Sequence, residues 1–341
     1  MKIAAIIPAH NEGKVIRKAI ISLRRAEMKP TDIFVVDDVS TDQTSEKARE
    51  AGAKLLILAR NVGKSTALKQ GINHFQLCEN YDYVVFMDAD SEVDENCLKA
   101  FEEAAENDSQ AGLFAGQVKS KRGNYISAYR AIEYAIGHDL HKSGQSRRGL
   151  LFIAPGCASM YKSEILKELK FENNTLAEDM DLTMQVQRKR LKIIYVPEAI
   201  VYTQDPKTLK DYLLQITRWQ RGVWQVIKKH RVMAFQKKQN VDWLIIIMVL
   251  DALLWSRTLW LFGLLIILPL ELFVQLLFLD ITFLSGLAVY TAFKNRRLDV
   301  IYKFPRYFWL SYLSSFVFIK TFAEIMVFRK EMRQWSRVKR Y

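Results

Sequence analysis

Four short apolar runs, residues 3–7, 33–36, 54–58 and 83–87, recur along the first quarter of the chain with helix-period segments between them. Apart from Lys54, which opens the third, the runs are unbroken; they are rich in Ile, Val and Leu, and each is too short to make a helix of its own. A strand with one wet face alternates polar and apolar residues, whereas a strand buried on both faces reads as an unbroken run. Parallel neighbours need a crossover connection, usually a helix. The expected fold class is therefore α/β, with a parallel sheet covered on both faces. Ligands of such sheets bind beyond the carboxyl ends of the strands. Helix patterns cover about 13–26 and 64–77, and Thr41-Asp42 suits the cap of a helix after the second strand.

Residues 110–200 mix elements: a helix near 124–142, a basic Gly-containing loop at 142–149, a short strand at 150–154, helices at 162–169 and 178–190, and a strand at 192–196. Residues 207–236 form an amphipathic helix rich in Trp, Arg and Lys, a pattern suited to a membrane interface. The runs 243–268 and 272–293 are almost wholly apolar, and each is long enough to span a bilayer. Asp251 and Arg257 are expensive inside the first run unless they face a polar path or an interface. A third stretch, 307–328, spans or lies flat; its Lys320 and Glu324 are four apart and able to pair. The expected organisation is a catalytic domain at 1–205, an interfacial segment at 206–242, a transmembrane hairpin at 243–293, and a basic loop, third helix and basic tail at 294–341.

Charge agrees with that plan. The formal net charge is +13, and residues 294–341 hold twelve Lys/Arg against three Asp/Glu. Positive charge beside apolar helices reads as a membrane-surface anchor, with the loop 294–306 on the cytosolic side. No nucleic-acid motif accompanies it, so no nucleic-acid partner is expected. Cys78, Cys97 and Cys157 lack any paired spacing, which excludes a zinc or disulfide framework and suits reduced thiols in the cytosol. The five-residue apolar run before Pro8 is too short for a signal peptide.

Acidic residues gather where the strands end. Asp37-Asp38 closes the second strand and can bond a base or ribose edge, or cap the next helix. Asp88-Ala89-Asp90 follows the fourth; two such carboxylates can hold a hard divalent cation that also neutralises a diphosphate leaving group, although turns are rich in aspartate for their own reasons. Lys64, in Asn61-Val62-Gly63-Lys64-Ser65, can meet a base or phosphate. A phosphate-loop ATPase is excluded by spacing, because Leu58 stands where that motif needs a glycine. Glu178-Asp179 opens a helix. Adjacent helical residues do not share a face, so one of the pair is placed to act as a general base, while both also suit the helix dipole. In Gln215-x-x-Arg218-Trp219 the Gln and Arg share a helical face. The Arg suits a departing diphosphate and the Trp a flat sugar face, although an interfacial helix also favours Trp and Arg.

Taken in order, Pro8-Ala9-His10-Asn11-Glu12, Val35-Val36-Asp37-Asp38, Gly63-Lys64-Ser65-Thr66-Ala67-Leu68, Asp88-Ala89-Asp90, Glu178-Asp179 and Gln215-x-x-Arg218-Trp219 make the chain resemble the family 2 glycosyltransferases, in particular the membrane branch of hyaluronan, chitin and cellulose synthases. The matching pieces cover roughly residues 3–225. The resemblance implies a GT-A fold, followed here by a C-terminal interfacial helix and transmembrane helices. It also implies an inverting hexosyltransferase that uses a nucleotide-diphosphate sugar, commonly a UDP-sugar. Glu12, Asp37, Asp38, Lys64 and Asp88 would contact the nucleotide sugar. Asp90, helped by Asp88, would bind Mg²⁺ or Mn²⁺, and Asp179 would be the general base. Gln215, Arg218, Trp219, Gly156, Cys157 and Glu178 would hold the diphosphate and the acceptor. The implied partners are the donor, a polysaccharide, oligosaccharide or lipid acceptor, and the lipid bilayer; a homo-oligomer or membrane partner stays open. The implied location is the cell membrane, multi-pass, with the catalytic domain cytosolic. Ala177 stands where the branch often has Thr, and the two or three spans are fewer than a translocation channel uses. A single-sugar transfer to a lipid, and an inactive membrane scaffold, are the competing readings.

Overall fold

The computed structural model describes residues 1–234, 246, 250 and 263–330. The described residues divide into two compact units: Met1–Lys119 with His138–Gln204, and Ser120–Gly137 with the described part of Asp205–Lys339. Most of the expected span 243–268, with Asp251 and Arg257, and the tail beyond residue 330 lie outside the described residues.

The first unit opens with β1 (Ile3–Ala9), α1 (Ile16–Arg25), β2 (Asp32–Asp37), α2 (Thr44–Glu50), β3 (Lys54–Ile57), α3 (Lys64–His74), the short α4 (Leu77–Asn80) and β4 (Tyr83–Phe86). Strands β3, β2, β1 and β4 lie side by side and pair in parallel, as the apolar runs predict. Ala4 and Ile6 of β1, Phe34 and Val36 of β2 and Val84 and Phe86 of β4 share one core with Ala67, Leu68 and Ile72 of α3. The alternate residues Ala5, Ile7, Val35 and Val85 point to the other face and are buried too, so neither face is wet. Helix α1 buries Ile16, Ala19, Ile20 and Leu23, the spacing of a one-sided apolar stripe.

The second half of the sheet is built from β5 (Ser91–Val93), β6 (Ala111–Ser120), β7 (Ser159–Lys162) and β8 (Lys192–Thr203), in the overall order β3-β2-β1-β4-β7-β6-β8-β5. Here β4 pairs β7, β6 pairs β7 and β5 pairs β8, all antiparallel. Helix α5 (Cys97–Asn107) packs on β8. The expected strand at 150–154 is not formed; the strand falls later, at Ser159–Lys162. Side chains take up the backbone groups of that earlier run instead: Gln145 accepts from the Phe152 N–H at 3.1 Å, Thr183 from the Ala154 N–H at 3.0 Å, and Gln187 donates to the Leu151 carbonyl.

Helix α6 (Tyr125–Tyr134) belongs to the second unit, and its last turns continue, widened, through residues Ala135–Lys142. After it come α7 (Ser143–Ser146), α8 (Ser163–Glu168) and α9 (Glu178–Arg188) of the first unit, then α10 (Leu209–Ala234), α11 (Leu270–Lys294) and α12 (Phe304–Val327) of the second. Helices α11 and α12 are long and apolar enough to cross a membrane. Trp224 of α10 is buried against Phe318 and Phe322 of α12, with ring centroids 4.7 and 4.9 Å away. Glu324 takes Arg221 of α10 as its ion-pair partner, Nε to Oε2 at 2.8 Å, rather than Lys320.

Candidate active site

The carboxyl ends of β1, β2 and β4 carry the acidic residues, and loops cross-linked by side chains hold them there. Asp37 accepts from the Ser40 N–H at 2.8 Å and from the Ser45 hydroxyl. Asp38, 4% exposed, accepts from the Val62 N–H at 2.7 Å on one oxygen and from the Gly63 N–H at 2.8 Å on the other. These bonds secure the loop entering α3. Its last residue, Gly63, has φ of 80°, a region that strains any side chain. The loop after β1 is tied to the same edge: the Thr41 N–H donates to Asn11 Oδ1 at 2.7 Å, and the Glu12 N–H to Thr44 Oγ1 at 2.8 Å. Asp42 caps the next helix by accepting from the Thr44 N–H at 3.0 Å. Burial pushes its carboxyl up, but bonds from Thr44 and Gly13 outweigh that and hold it below the usual range.

Lys64, the first residue of α3, sits between two carboxylates. Its Nζ lies 2.6 Å from Asp88 Oδ1 and 2.7 Å from Glu178 Oε1. Burial disfavours the ammonium, yet Asp88, Glu178 and Asp179 together raise its value well above the ordinary one, so it stays charged. Asp179 follows Glu178 in the first turn of α9 and is oriented by two amides: Gly156 N–H donates to Oδ2 at 3.1 Å and Met180 N–H to Oδ1 at 2.8 Å. Thr183 adds a second tie, donating to the Asp179 carbonyl at 2.6 Å and accepting from Ala154 N–H. The loop Pro155-Gly156-Cys157 is thereby fastened to the start of α9. A Cβ on residue 156 would lie 3.0 Å from Lys64 Nζ and 3.5 Å from Glu178 Oε1. Lys64 can yield because its ammonium ends a flexible stem. Gly156→Ala is therefore expected to change stability by less than about 1 kcal/mol and to lower turnover about tenfold by displacing Lys64; denaturation and steady-state rates check the two halves separately.

Burial and the neighbouring Glu178 push the Asp179 carboxyl up to about 6, against the pull of Lys64 and the two amides. An acid at the start of a helix is ordinarily eased down by the dipole, so desolvation and like charge win here. Lys142, which the sequence places only at the start of a basic loop, is buried and pushed down to about 7 by that burial, against the attraction of Cys157 and Asp179. His138 is buried nearby and held well below its ordinary value by burial and Lys142, so it is neutral. Nothing in the sequence marks Lys142 as buried, because the residues around it are polar.

Asp88 and Asp90 flank the turn after β4, where Ser91 N–H bonds the Asp88 carbonyl at 3.1 Å. The short β5 follows this turn, ahead of α5. The Cys157 thiol is raised by burial first and then by the charges of Asp88 and Asp90. Among the described residues no group of three or more His, Cys, Asp or Glu is assembled for a metal. A magnesium-type cation asks for less: one or two carboxylates, with water and substrate phosphate completing the shell. Asp88 and Asp90 are two carboxylates of that kind, and Asp88 Oδ1 is paired with the Lys64 ammonium at 2.6 Å.

Gln215, Arg218 and Trp219 lie on α10, in the second unit. Gln215 and Trp219 are anchored there by Arg130 of α6, which has no motif to mark it in the sequence. Arg130 is 2% exposed, donates to Gln215 Oε1, pairs with Glu133 at 2.8 Å, and carries its guanidinium 4.5 Å from the Trp219 ring centroid. In sequence, Arg130 and Glu133 look like a surface pair three residues apart, since nothing local reveals that the helix is enclosed.

A half-parallel, half-antiparallel sheet with acids along its parallel carboxyl edge is a mixed α/β fold of the GT-A type, the class of nucleotide-diphospho-sugar transferases. A mannosyltransferase from Pyrobaculum calidifontis, solved with GDP-Man and Mn²⁺, shares this fold over 96% of this chain and 88% of its own, with a TM-score of 0.66 at 17% identity. The chain belongs to the glycosyltransferase like family 2, whose model matches residues 2–222. Its relatives include a probable glycosyltransferase, YdaM, of Bacillus subtilis (strain 168), 28% identical over 70% of this chain and 59% of that protein. A poly-beta-1,6-N-acetyl-D-glucosamine synthase of Staphylococcus epidermidis is 23% identical over 72% of this chain and 63% of its own length. The matches thus span about three fifths of these relatives.

Proposed function

We propose that this chain is a membrane-bound, inverting glycosyltransferase that moves a sugar from a nucleotide-diphosphate sugar, a UDP-sugar by resemblance, onto a growing polysaccharide or oligosaccharide. The observation that carries the reading is Asp179: a carboxyl oriented by the Gly156 and Met180 amides, beside an ammonium, with its value pushed up to about 6. Such a group is ionised at neutral pH yet basic enough to accept a proton. Asp179 takes the proton of the acceptor hydroxyl as that oxygen attacks the anomeric carbon. The bond from that carbon to the diphosphate oxygen breaks, and the nucleoside diphosphate leaves from the opposite face.

Asp90 and Asp88 would hold Mg²⁺ or Mn²⁺, which when bound supplies charge to the departing diphosphate. Lys64 adds a fixed positive charge beside Asp88. Glu12, Asp37 and Asp38 border the nucleotide position, and Glu178 keeps Lys64 in place. Gly156 and Cys157 shape the approach to Asp179, while Gln215, Arg218 and Trp219 serve the diphosphate and the acceptor. Membrane attachment rests on the lengths and composition of α11 and α12 and on the basic loop between them, which favours the cytosolic side. The polymer acceptor is supported by the synthase relatives.

Membranes carrying the protein, incubated with a panel of radiolabelled nucleotide sugars and sized afterwards, test the proposal. A ladder or long polymer that disappears with chelator and with Asp179→Asn is the expected result. A single lipid-soluble product would move the acceptor to a lipid. Equal sugar release by wild type and Asp179→Asn would remove Asp179 from its role.

A further inference from the structure

The second unit contains a cavity that the proposed reaction does not use. Its volume is about 590 Å³, and its wall includes Arg122, Arg296, Leu298, Asp299, Tyr302 and Lys303. The wall is cationic even after its carboxylate is counted. Asp299 is already neutralised by Arg297, which bonds it from Nε at 3.0 Å and from Nη2 at 2.7 Å. Lys303 adds a contact at 3.2 Å. Arg122 and Arg296 have no carboxylate partner among the described residues; Arg122 Nη2 donates instead to the Arg296 carbonyl at 2.8 Å.

This arrangement is built before any ligand arrives. Arg297 Nη1 donates to the carbonyls of Ser120 at 2.9 Å and Lys121 at 3.0 Å, and Lys303 Nζ to that of Gly123 at 2.6 Å. The turn after α11 is thus clamped to the loop before α6 by charged donors, which reduces the ordering left for binding. Arg296 sits at φ 51° as the left-handed residue that closes α11, and the next amide, Arg297 N–H, bonds back to the Ala292 carbonyl at 2.8 Å, which fixes where the Arg296 side chain leaves the turn. Two apolar-bodied side chains line the cavity with the cations: Leu298 is 63% exposed and Tyr302 70%. Arginine forks match phosphate oxygens. Exposed aromatic and aliphatic groups at the end of a spanning helix match the boundary between headgroup and acyl chains.

We propose that this cavity binds the phosphodiester headgroup of an anionic lipid, with Arg122 and Arg296 taking the phosphate oxygens and Leu298 and Tyr302 lying against the glycerol and upper acyl chain. The inference rests on the membrane reading above and is independent of the catalytic assignments.

The full chain in neutral-detergent micelles is titrated with phosphatidylglycerol, phosphatidylcholine or inorganic phosphate, and binding is followed by thermophoresis. Phosphatidylglycerol is expected to bind at least about tenfold more tightly than phosphatidylcholine. Arg122→Gln and Arg296→Gln should each cost about fivefold of that preference, and the double variant should lose it. Arg296→Lys should keep most of it, separating charge from a folding defect. Donor hydrolysis and flotation with pure phosphatidylcholine vesicles should match wild type in the double variant. Equal affinity for the two lipids, displacement of phosphatidylglycerol by equimolar inorganic phosphate, or a preference that survives the double substitution would each overturn the proposal. Failure of wild type to float with phosphatidylcholine vesicles would instead remove the membrane reading, and this inference with it.

Discussion

Asp179→Asn is expected to reduce turnover by about 10²–10⁴-fold while leaving donor affinity unchanged. The amide keeps the shape of the carboxyl and can still accept from Gly156, but it cannot take a proton. Wild type should also show an acid limb near pH 6. Burial and Glu178 raise this carboxyl from 3.8 to about 6, so it is protonated and inactive as a base below that pH and ionised above it. Rate should therefore rise with pH through about 6 and then level. The limb should vanish in the variant, whose residual rate has no base to titrate. A pH profile of kcat/KM, with donor binding measured separately, checks both points. Donor affinity falling in step with turnover would sink the assignment.

Lys64→Met is expected to be costly in a different currency. The ammonium lies between Asp88 and Glu178 with Asp179 close by, and removing it leaves three carboxylates facing one another. Breaking a fully buried pair costs about 3–5 kcal/mol, but Asp88 is 35% exposed, so about 2–3 kcal/mol is the reasonable figure. Denaturant midpoints should show it, with Lys64→Arg restoring part of the loss. The loss of a neighbouring positive charge also favours the protonated acid, so the Asp179 limb should move to higher pH. A variant as stable as wild type, with its limb in place, would mean that the three carboxylates are compensated elsewhere.

The parallel half of the sheet was legible because β1, β2 and β4 are buried on both faces and carry unbroken Ile/Val-rich runs. The acids at their ends followed from the rule that such sheets work at their carboxyl edge. Strand β6 was not legible: Ala111, Gly112, Ala115 and Gly116 give it little β propensity. The run at 150–154 misled for the opposite reason, since it is apolar and buried but has its backbone satisfied by Gln145, Thr183 and Gln187. In the candidate site, Lys64, Asp88, Glu178, Asp179, Gly156 and Cys157 could be picked out one by one; the structure pairs Lys64 with Asp88 and Glu178 and ties the Gly156 loop to Asp179. Lys142, and in the second unit Arg130, could not be picked out, because burial of a charged residue depends on elements far away in sequence.

Asp38 changes how mutational data on this edge should be interpreted. Both of its oxygens are occupied by successive amides of the segment leading into α3, so the placement of Lys64 depends on a side chain at the end of a different strand. A scan that scores only product would rank position 38 with the residues that touch the donor. Losing its carboxylate would slacken the segment and misdirect the ammonium, a defect transmitted through two hydrogen bonds. Inactivity at that position is therefore no proof of contact, and comparing Asp38→Asn with Lys64→Met in the same assay would show whether the two defects share one origin.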